Sequence, residues 1–212
     1  MAKSICVYCS SSDAIQEVYF HAAAELGKLI AESGYELVYG GGNVGLMRAA
    51  AEAVHAHGGR VVGVIPGFMR DRGLAYDAAD EMVVTSTMRE RKAAMESRAD
   101  AFVALPGGFG TLEEMMEVLT LKQLRRHRKP VVFLNTQGFY DGLQALFEHM
   151  FQEQFVSAQS RSLYHFAARP TDVMDYIAGY TYQELPVKWH EPVTDVEAAA
   201  LEAAEEGEDE MG

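Results

Sequence analysis

The 212-residue length suits one large domain or two small ones, and a 49% hydrophobic content is enough for a substantial core. A net charge of −13 argues against nucleic acid as a partner. No apolar run approaches the length needed to span a bilayer, so no membrane association is expected.

Part of the charge is local, since seven acidic and no basic residues fall from Glu197 onward. Residues 194–212 offer almost no large apolar side chain, too little burial to offset their ordering entropy. The expectation is one folded domain over residues 1–193 and a disordered, dispensable acidic tail over 194–212. The chain opens with no basic, apolar leader, which favours a cytoplasmic location. Its two cysteines, Cys6 and Cys9, share one apolar run. Residues three apart on a strand face opposite sides, so they read as structural thiols and not as a redox or metal pair. The seven histidines never fall at zinc-ligand spacing with other ligands, and no metal is expected.

In chain order, Ser4–Cys9 predicts a first strand, closed by the polar turn Ser10-Ser11-Ser12-Asp13. A long amphipathic helix runs from about Gln16 to Ser33 and stops at Gly34. Glu36–Tyr39 is a second strand, and the glycine-rich turn Gly40–Gly45 opens a helix from Leu46 to His57. A third strand, Arg60–Ile65, stops at Pro66-Gly67, and Phe68–Asp80 is irregular. Met82–Thr85 is a fourth strand and Met88–Arg98 a helix. Ala101–Leu105 is a fifth strand, leading through Pro106–Glu114 into a helix from Met115 to Leu124. A sixth strand (Pro130–Asn135), a helix to about Gln154, a short strand (Leu163–Ala167) and a short helix (Thr171–Ala178) complete the pattern.

Strands that alternate with helices and read as nearly continuous Val, Ile, Leu and Phe indicate a parallel sheet covered on both faces. The fold class is α/β, a Rossmann-like doubly wound parallel sheet with helices on both faces. Ligands in such folds bind beyond the carboxyl ends of the strands. Both glycine-rich turns follow strands and lie on that edge.

Pro106-Gly107-Gly108-Phe109-Gly110-Thr111-Leu112-Glu113-Glu114 carries the chemistry. A strand, a glycine-rich turn and a helix start point free N–H groups and a positive helix end at an anion, typically a phosphate. Two carboxylates follow, for which a phosphate binder alone has no need. The same residues admit a structural reading, in which Thr111 caps the helix and Glu114 closes a capping box. The helix Met88–Arg98 adds Arg89, Arg91 and Lys92 in its first turn, on the same sheet edge. Cations are disfavoured at a helix N-terminus, so their presence suggests an anion to meet; a guanidinium matches phosphate oxygens.

Other signals are weaker. Gly40-x-Gly42-x-x-Gly45 fits the dinucleotide pattern, but no acid ends the next strand to hold a ribose, so NAD is discounted and a phosphate or ribose contact is kept. No Walker motif and no G-x-S-x-G elbow is present. Arg125–Lys129 ends a helix, where cations suit the dipole.

These residues resemble the Lonely Guy family of cytokinin riboside 5′-monophosphate phosphoribohydrolases, long misnamed lysine decarboxylases. Pro106–Glu114 fits that family's PGGxGTxxE signature in full, Met88-x-x-Arg91-Lys92 precedes it, Gly40–Met47 fits its second glycine turn, and Cys9–Ser12 its first loop. The resemblance spans about Ser4 to Gly179. It implies catalytic roles for Arg91 and Glu114. It also implies substrate contacts at Lys92, Gly108, Phe109, Gly110, Thr111 and Thr120; the other two loops offer Gly42, Asn43, Gly45 and Ser11 as further candidate contacts. It implies hydrolysis of the N-glycosidic bond in (N6-modified) adenosine 5′-monophosphate, no cofactor, and a homodimer. Two departures bear on substrate range: Arg48 stands where the family has glycine, and Ser10 replaces another glycine.

A carboxylate near the ribose suits an oxocarbenium-like transition state, as in glycoside hydrolysis generally. The competing reading is a non-catalytic nucleotide or molybdenum-cofactor carrier on the same fold. Arg91 together with Glu114 favours the enzyme, because a phosphate carrier gains nothing from a carboxylate beside its anion. Decarboxylation is rejected, since Lys92 beside an arginine is a poor Schiff-base candidate.

Overall fold

The computed structural model describes residues 3–184. The expected tail, 194–212, lies outside them. Strands β1 (Ser4–Tyr8), β2 (Glu36–Tyr39), β3 (Val61–Pro66), β4 (Glu81–Thr85), β5 (Ala101–Ala104), β6 (Val131–Leu134) and β7 (His165–Ala167) form one parallel sheet in the order β4-β3-β2-β1-β5-β6-β7. Between and after them run α1 (Glu17–Glu32), α2 (Gly45–Ala56), the one-turn α3 (Gly67–Arg70), α4 (Met88–Arg98), α5 (Phe109–Gln123), α6 (Asp141–Gln152) and α7 (Pro170–Gly179). The chain winds outward from β1 to β4 and returns to β5 on the other side of β1. The order therefore reverses between β1 and β5, where this topology places ligands.

Both sheet faces are buried, which is why the central strands are apolar at every position. Ile5, Val7, Leu37, Tyr39 and Val103 face one core with Leu26 and Ile30 of α1 and Ala50 and Val54 of α2. Cys6, Tyr8, Val38, Val64 and Phe102 face the other, with Met95 of α4, Met115 of α5 and Phe147 of α6. Cys6 thus belongs to the second core, while Cys9 packs against the first, as expected for thiols three residues apart. Burial pushes the Cys6 thiol up to about 12 and raises Cys9 as well, which disfavours the reactive thiolate form of both. Helices α1 and α2 approach closely at Gly27, where a Cβ would stand 2.5 Å from the Ala50 carbonyl oxygen and 3.0 Å from the Ala53 methyl.

Lys122 is a cation that sequence reading passed over. It is 1% exposed. Its Nζ donates to the Leu163 carbonyl at 2.7 Å and lies 4.8 Å from the centre of the Tyr180 ring. Burial pushes its pKa down to about 8 from an ordinary 10.5. Below the folded value the charged amine penalises the native state, and the penalty fades as pH rises from there toward the unfolded value. Lys122→Met, which forfeits the bond to Leu163, should therefore compare most favourably with the wild type near pH 7. The wild type should regain ground by about pH 10. Urea unfolding at the two pH values checks this; a pH-independent difference would contradict it.

Candidate active site

Three loops meet beyond the carboxyl ends of β1, β2 and β5. Together with the start of α4 they enclose a cleft of about 460 Å³, walled by Ser10, Ser11, Gly40, Arg91, Gly108 and Glu114 among others. That size suits a small ligand.

Arg91 is placed by the start of α4. The Thr87 hydroxyl accepts from the Glu90 N–H at 3.1 Å and the Glu90 carboxylate accepts from the Ser86 N–H at 2.9 Å, a reciprocal cap that fixes the first turn. From there Arg91 runs inward and is 7% exposed. Its Nε donates to the Val64 carbonyl at 3.1 Å, Nη2 to the Gly40 carbonyl at 3.3 Å and Nη1 to Glu114 Oε1 at 2.8 Å. A Cβ on Gly40 would overlap Nη2, so only glycine leaves room for this guanidinium. Of the five N–H groups of an arginine, three are used here.

Glu114 is equally enclosed, its side chain 11% exposed. Burial raises its pKa above the ordinary 4.5, and the charge and hydrogen bond of Arg91 pull the other way without cancelling the rise. A carboxylate with a raised pKa, paired with a buried arginine and lining a cleft, is what an acid–base site requires.

The anion receptor is the start of α5. This helix begins at Phe109, six residues before the expected Met115, with Gly108 as a cap that has no side chain. The N–H groups of Phe109, Gly110 and Thr111 have no acceptor among the described residues. They are the orphan donors of a helix N-terminus, and the helix dipole adds to them. The capping-box reading is therefore corrected. Thr111 lies inside the first turn and is 4% exposed, and Glu114 turns to Arg91 instead of back to the helix start. The glycines allow the helix to start before Thr111, so no hydroxyl is needed to cap it.

The second glycine turn behaves differently. Donors toward its end are spent within the protein: Asn43 N–H on the Leu74 carbonyl at 2.9 Å, Gly45 N–H on Asp13 Oδ1 at 3.1 Å, and the next residue, Leu46 N–H, on the Ser10 carbonyl at 3.0 Å. Gly45 has φ +58°, and a Cβ there would stand 2.6 Å from the Ser11 carbonyl carbon. Gly42, Asn43 and Gly45 thus clasp neighbouring loops and do not line the cleft.

Two further expected contacts lie elsewhere. Lys92 pairs with Glu113, and with Glu117 at 2.7 Å, bracing α4 to α5 outside the cleft lining. Thr120 sits in an apolar groove with Met116, Leu119, Phe147 and Met150, its hydroxyl donating to the Met116 carbonyl at 2.7 Å. Arg48 neither crowds the glycine turn nor enters the cleft; it pairs with Asp13 at 3.2 Å. Conversely, Gly40, Ser10, Ser12, Met47 and Met88 line the cleft and were not singled out as contacts. The signal for Gly40 is its place as the first glycine of the turn, directly after a strand. Among the described residues no group of three or more His, Cys, Asp or Glu is arranged to hold a metal ion, and no helix is long and apolar enough to cross a membrane.

This is the architecture of a Rossmann-like nucleotide-type site at the switch point of a parallel α/β sheet. The family described as "Possible lysine decarboxylase" matches residues 47–177. A cytokinin riboside 5′-monophosphate phosphoribohydrolase of Oryza sativa subsp. japonica is 42% identical over 199 residues, 94% of this chain and 77% of that one. Its counterpart from Arabidopsis thaliana is 42% identical over 178 residues, 84% of each chain. Among solved structures, the molybdenum cofactor carrier protein of Chlamydomonas reinhardtii superposes with a TM-score of 0.64 at 26% identity, covering 84% of this chain and 97% of that one. The chain belongs to the family of the cytokinin riboside 5′-monophosphate phosphoribohydrolases.

Proposed function

We propose that this protein hydrolyses the N-glycosidic bond of (N6-modified) adenosine 5′-monophosphate, releasing the free base and ribose 5-phosphate. The observation that carries this reading is the enclosed Glu114–Arg91 pair in the same cleft as the free N–H groups of Phe109, Gly110 and Thr111. The helix N-terminus takes the 5′-phosphate, and its binding energy seats the ribose against Glu114. As the bond from C1′ to the base lengthens, positive charge grows on the sugar and the bonding pair leaves with the base. The Glu114 carboxylate stabilises that charge and orients the water whose oxygen joins C1′. The water's proton ends on the base, and water is the only co-reactant. Arg91 holds the carboxylate in its ionised form and in its rotamer.

The test is a panel of substrates separated by chromatography. Adenosine 5′-monophosphate and its N6-substituted forms should release base; adenosine and the triphosphate should not, because the phosphate supplies the positioning energy. Equal turnover of adenosine and its monophosphate would contradict the reading. Tight binding with no base release would favour the carrier.

The proposal extends to a cytoplasmic homodimer. The pairing is supported by the apolar groove between α5 and α6, together with the exposed Leu146 of α6 and Phe155 just after it. Light scattering should give twice the chain mass at micromolar concentration; a monomer would contradict the pairing.

A further inference from the structure

We propose that Asp13, through its bond to the Gly45 N–H, is a positioning residue that fixes the serine wall of the cleft for the substrate. This rests on the phosphoribohydrolase reading and deepens it.

The wall is the loop Ser10-Ser11-Ser12 after β1, and all three serines line the cleft. The loop is fastened at two sides. Toward α5, the Ser10 N–H donates to the Pro106 carbonyl at 3.2 Å, at the edge of the anion-binding turn. Toward α2, the Ser10 carbonyl accepts from the Leu46 N–H at 3.0 Å and Asp13 Oδ1 accepts from the Gly45 N–H at 3.1 Å. The first two N–H groups of α2 are thus both taken by this loop.

Asp13 stands where an anion would sit at the N-terminus of α2. The fold has two glycine turns leading into helices. One is left open at α5, and the other is closed at α2 by a carboxylate from the protein itself. Arg48, in the first turn of α2, donates Nη2 to the same Oδ1 at 3.2 Å, so one oxygen receives both donors. Asp13 is half exposed, at 54%, and Arg48 at 43%, so the ion pair alone contributes little. The bond to Gly45 resembles a helix cap, and the larger effect belongs to it.

Without Asp13 the stretch Ser10–Asp13 keeps its main-chain bonds but loses the side-chain tether that sets its tilt over the cleft. Ground-state binding should suffer and chemistry at Glu114 should not. The experiment measures KM and kcat for adenosine 5′-monophosphate in Asp13→Ala, Asp13→Asn and Arg48→Ala, with melting temperatures. Asp13→Ala should raise KM about fivefold, the loss of one cap converted to affinity, with kcat within about twofold. Asp13→Asn keeps the acceptor for Gly45 and should restore KM to within about twofold of the wild type, level with Arg48→Ala. An unchanged KM in Asp13→Ala, with only a lower melting temperature, would make Asp13 merely structural and overturn the proposal. So would an Asn variant as impaired as the Ala variant, or a loss confined to kcat. Should Asp13→Ala fail to fold, Asp13→Leu takes its place, since it keeps the side-chain volume and offers no acceptor: a severalfold higher KM than in Asp13→Asn supports the proposal, and equal KM values overturn it. Failure of the phosphoribohydrolase reading itself shows separately, as absence of base release by the wild type.

Discussion

Glu114→Gln is expected to lose at least about 10²-fold in turnover of adenosine 5′-monophosphate while still binding it. The amide fills the same space and can still accept from Arg91 Nη1, but it carries no negative charge for an oxocarbenium-like sugar. Two opposing effects act on stability. The burial penalty of the carboxylate disappears with its charge, and Arg91 loses its counter-charge while keeping the carbonyls of Val64 and Gly40. A residual of about 1 kcal/mol would move the melting temperature by roughly 2–4 °C. Steady-state kinetics and thermal melts read both quantities. Wild-type turnover in this variant would reduce Glu114 to a packing role. In the wild type, the acid limb of kcat/KM should lie above the ordinary 4.5 of a glutamate, because Glu114 must be ionised to act and burial raises its pKa.

Arg91→Ala should be the more damaging change to the fold. It leaves the Glu114 carboxylate enclosed without a counter-charge and strips a donor from two buried carbonyls. Breaking a buried pair in this way costs about 3–5 kcal/mol. Without the guanidinium, the pKa of Glu114 rises further, since Arg91 is what lowers it. The sign follows: a carboxyl with a raised folded pKa costs the native state nothing below its unfolded value, and the penalty grows as pH rises from there to the folded value and then stays. The stability deficit of Arg91→Ala should therefore be largest near neutrality and shrink in acid, and the acid limb of any residual activity should move to higher pH. Denaturant melts across pH check the first, and a kcat/KM profile the second. A deficit that grows toward acid would contradict the pairing.

The sequence announced the fold well because every central strand is apolar on both faces, a pattern that only a sheet covered on both sides produces. Element boundaries from β1 to α7 lie mostly within one or two residues of expectation. The exceptions are the one-turn α3, Gly67–Arg70, which opens a stretch expected to be irregular, and the start of α5. Three glycines read as a turn, yet Gly108 caps the helix and Gly110 lies inside it. The site was legible as far as spacing could carry it: the signature and the topology brought Arg91 and Glu114 to one sheet edge, where the structure pairs them. What spacing could not show is how a loop uses its own donors. Gly40–Gly45 looks like a second phosphate turn in sequence, and only the bonds from Asn43, Gly45 and Leu46 reveal a clasp. Lys92 likewise read as an anion ligand because Glu117 is 25 residues away in sequence yet 2.7 Å away in space.

The contact of Gly27 with Ala50 bears on how the cleft meets a ligand. Helices α1 and α2 both begin at the rim, one just after the serine loop and the other at the clasp. At Gly27 only small groups meet, the glycine itself, the Ala50 carbonyl and the Ala53 methyl, and none of them has a rotamer to choose. The spacing of the two rim segments is thus set by parts whose freedom is lost when the chain folds. A ligand arriving there finds little left to freeze, and more of its contact energy goes into affinity.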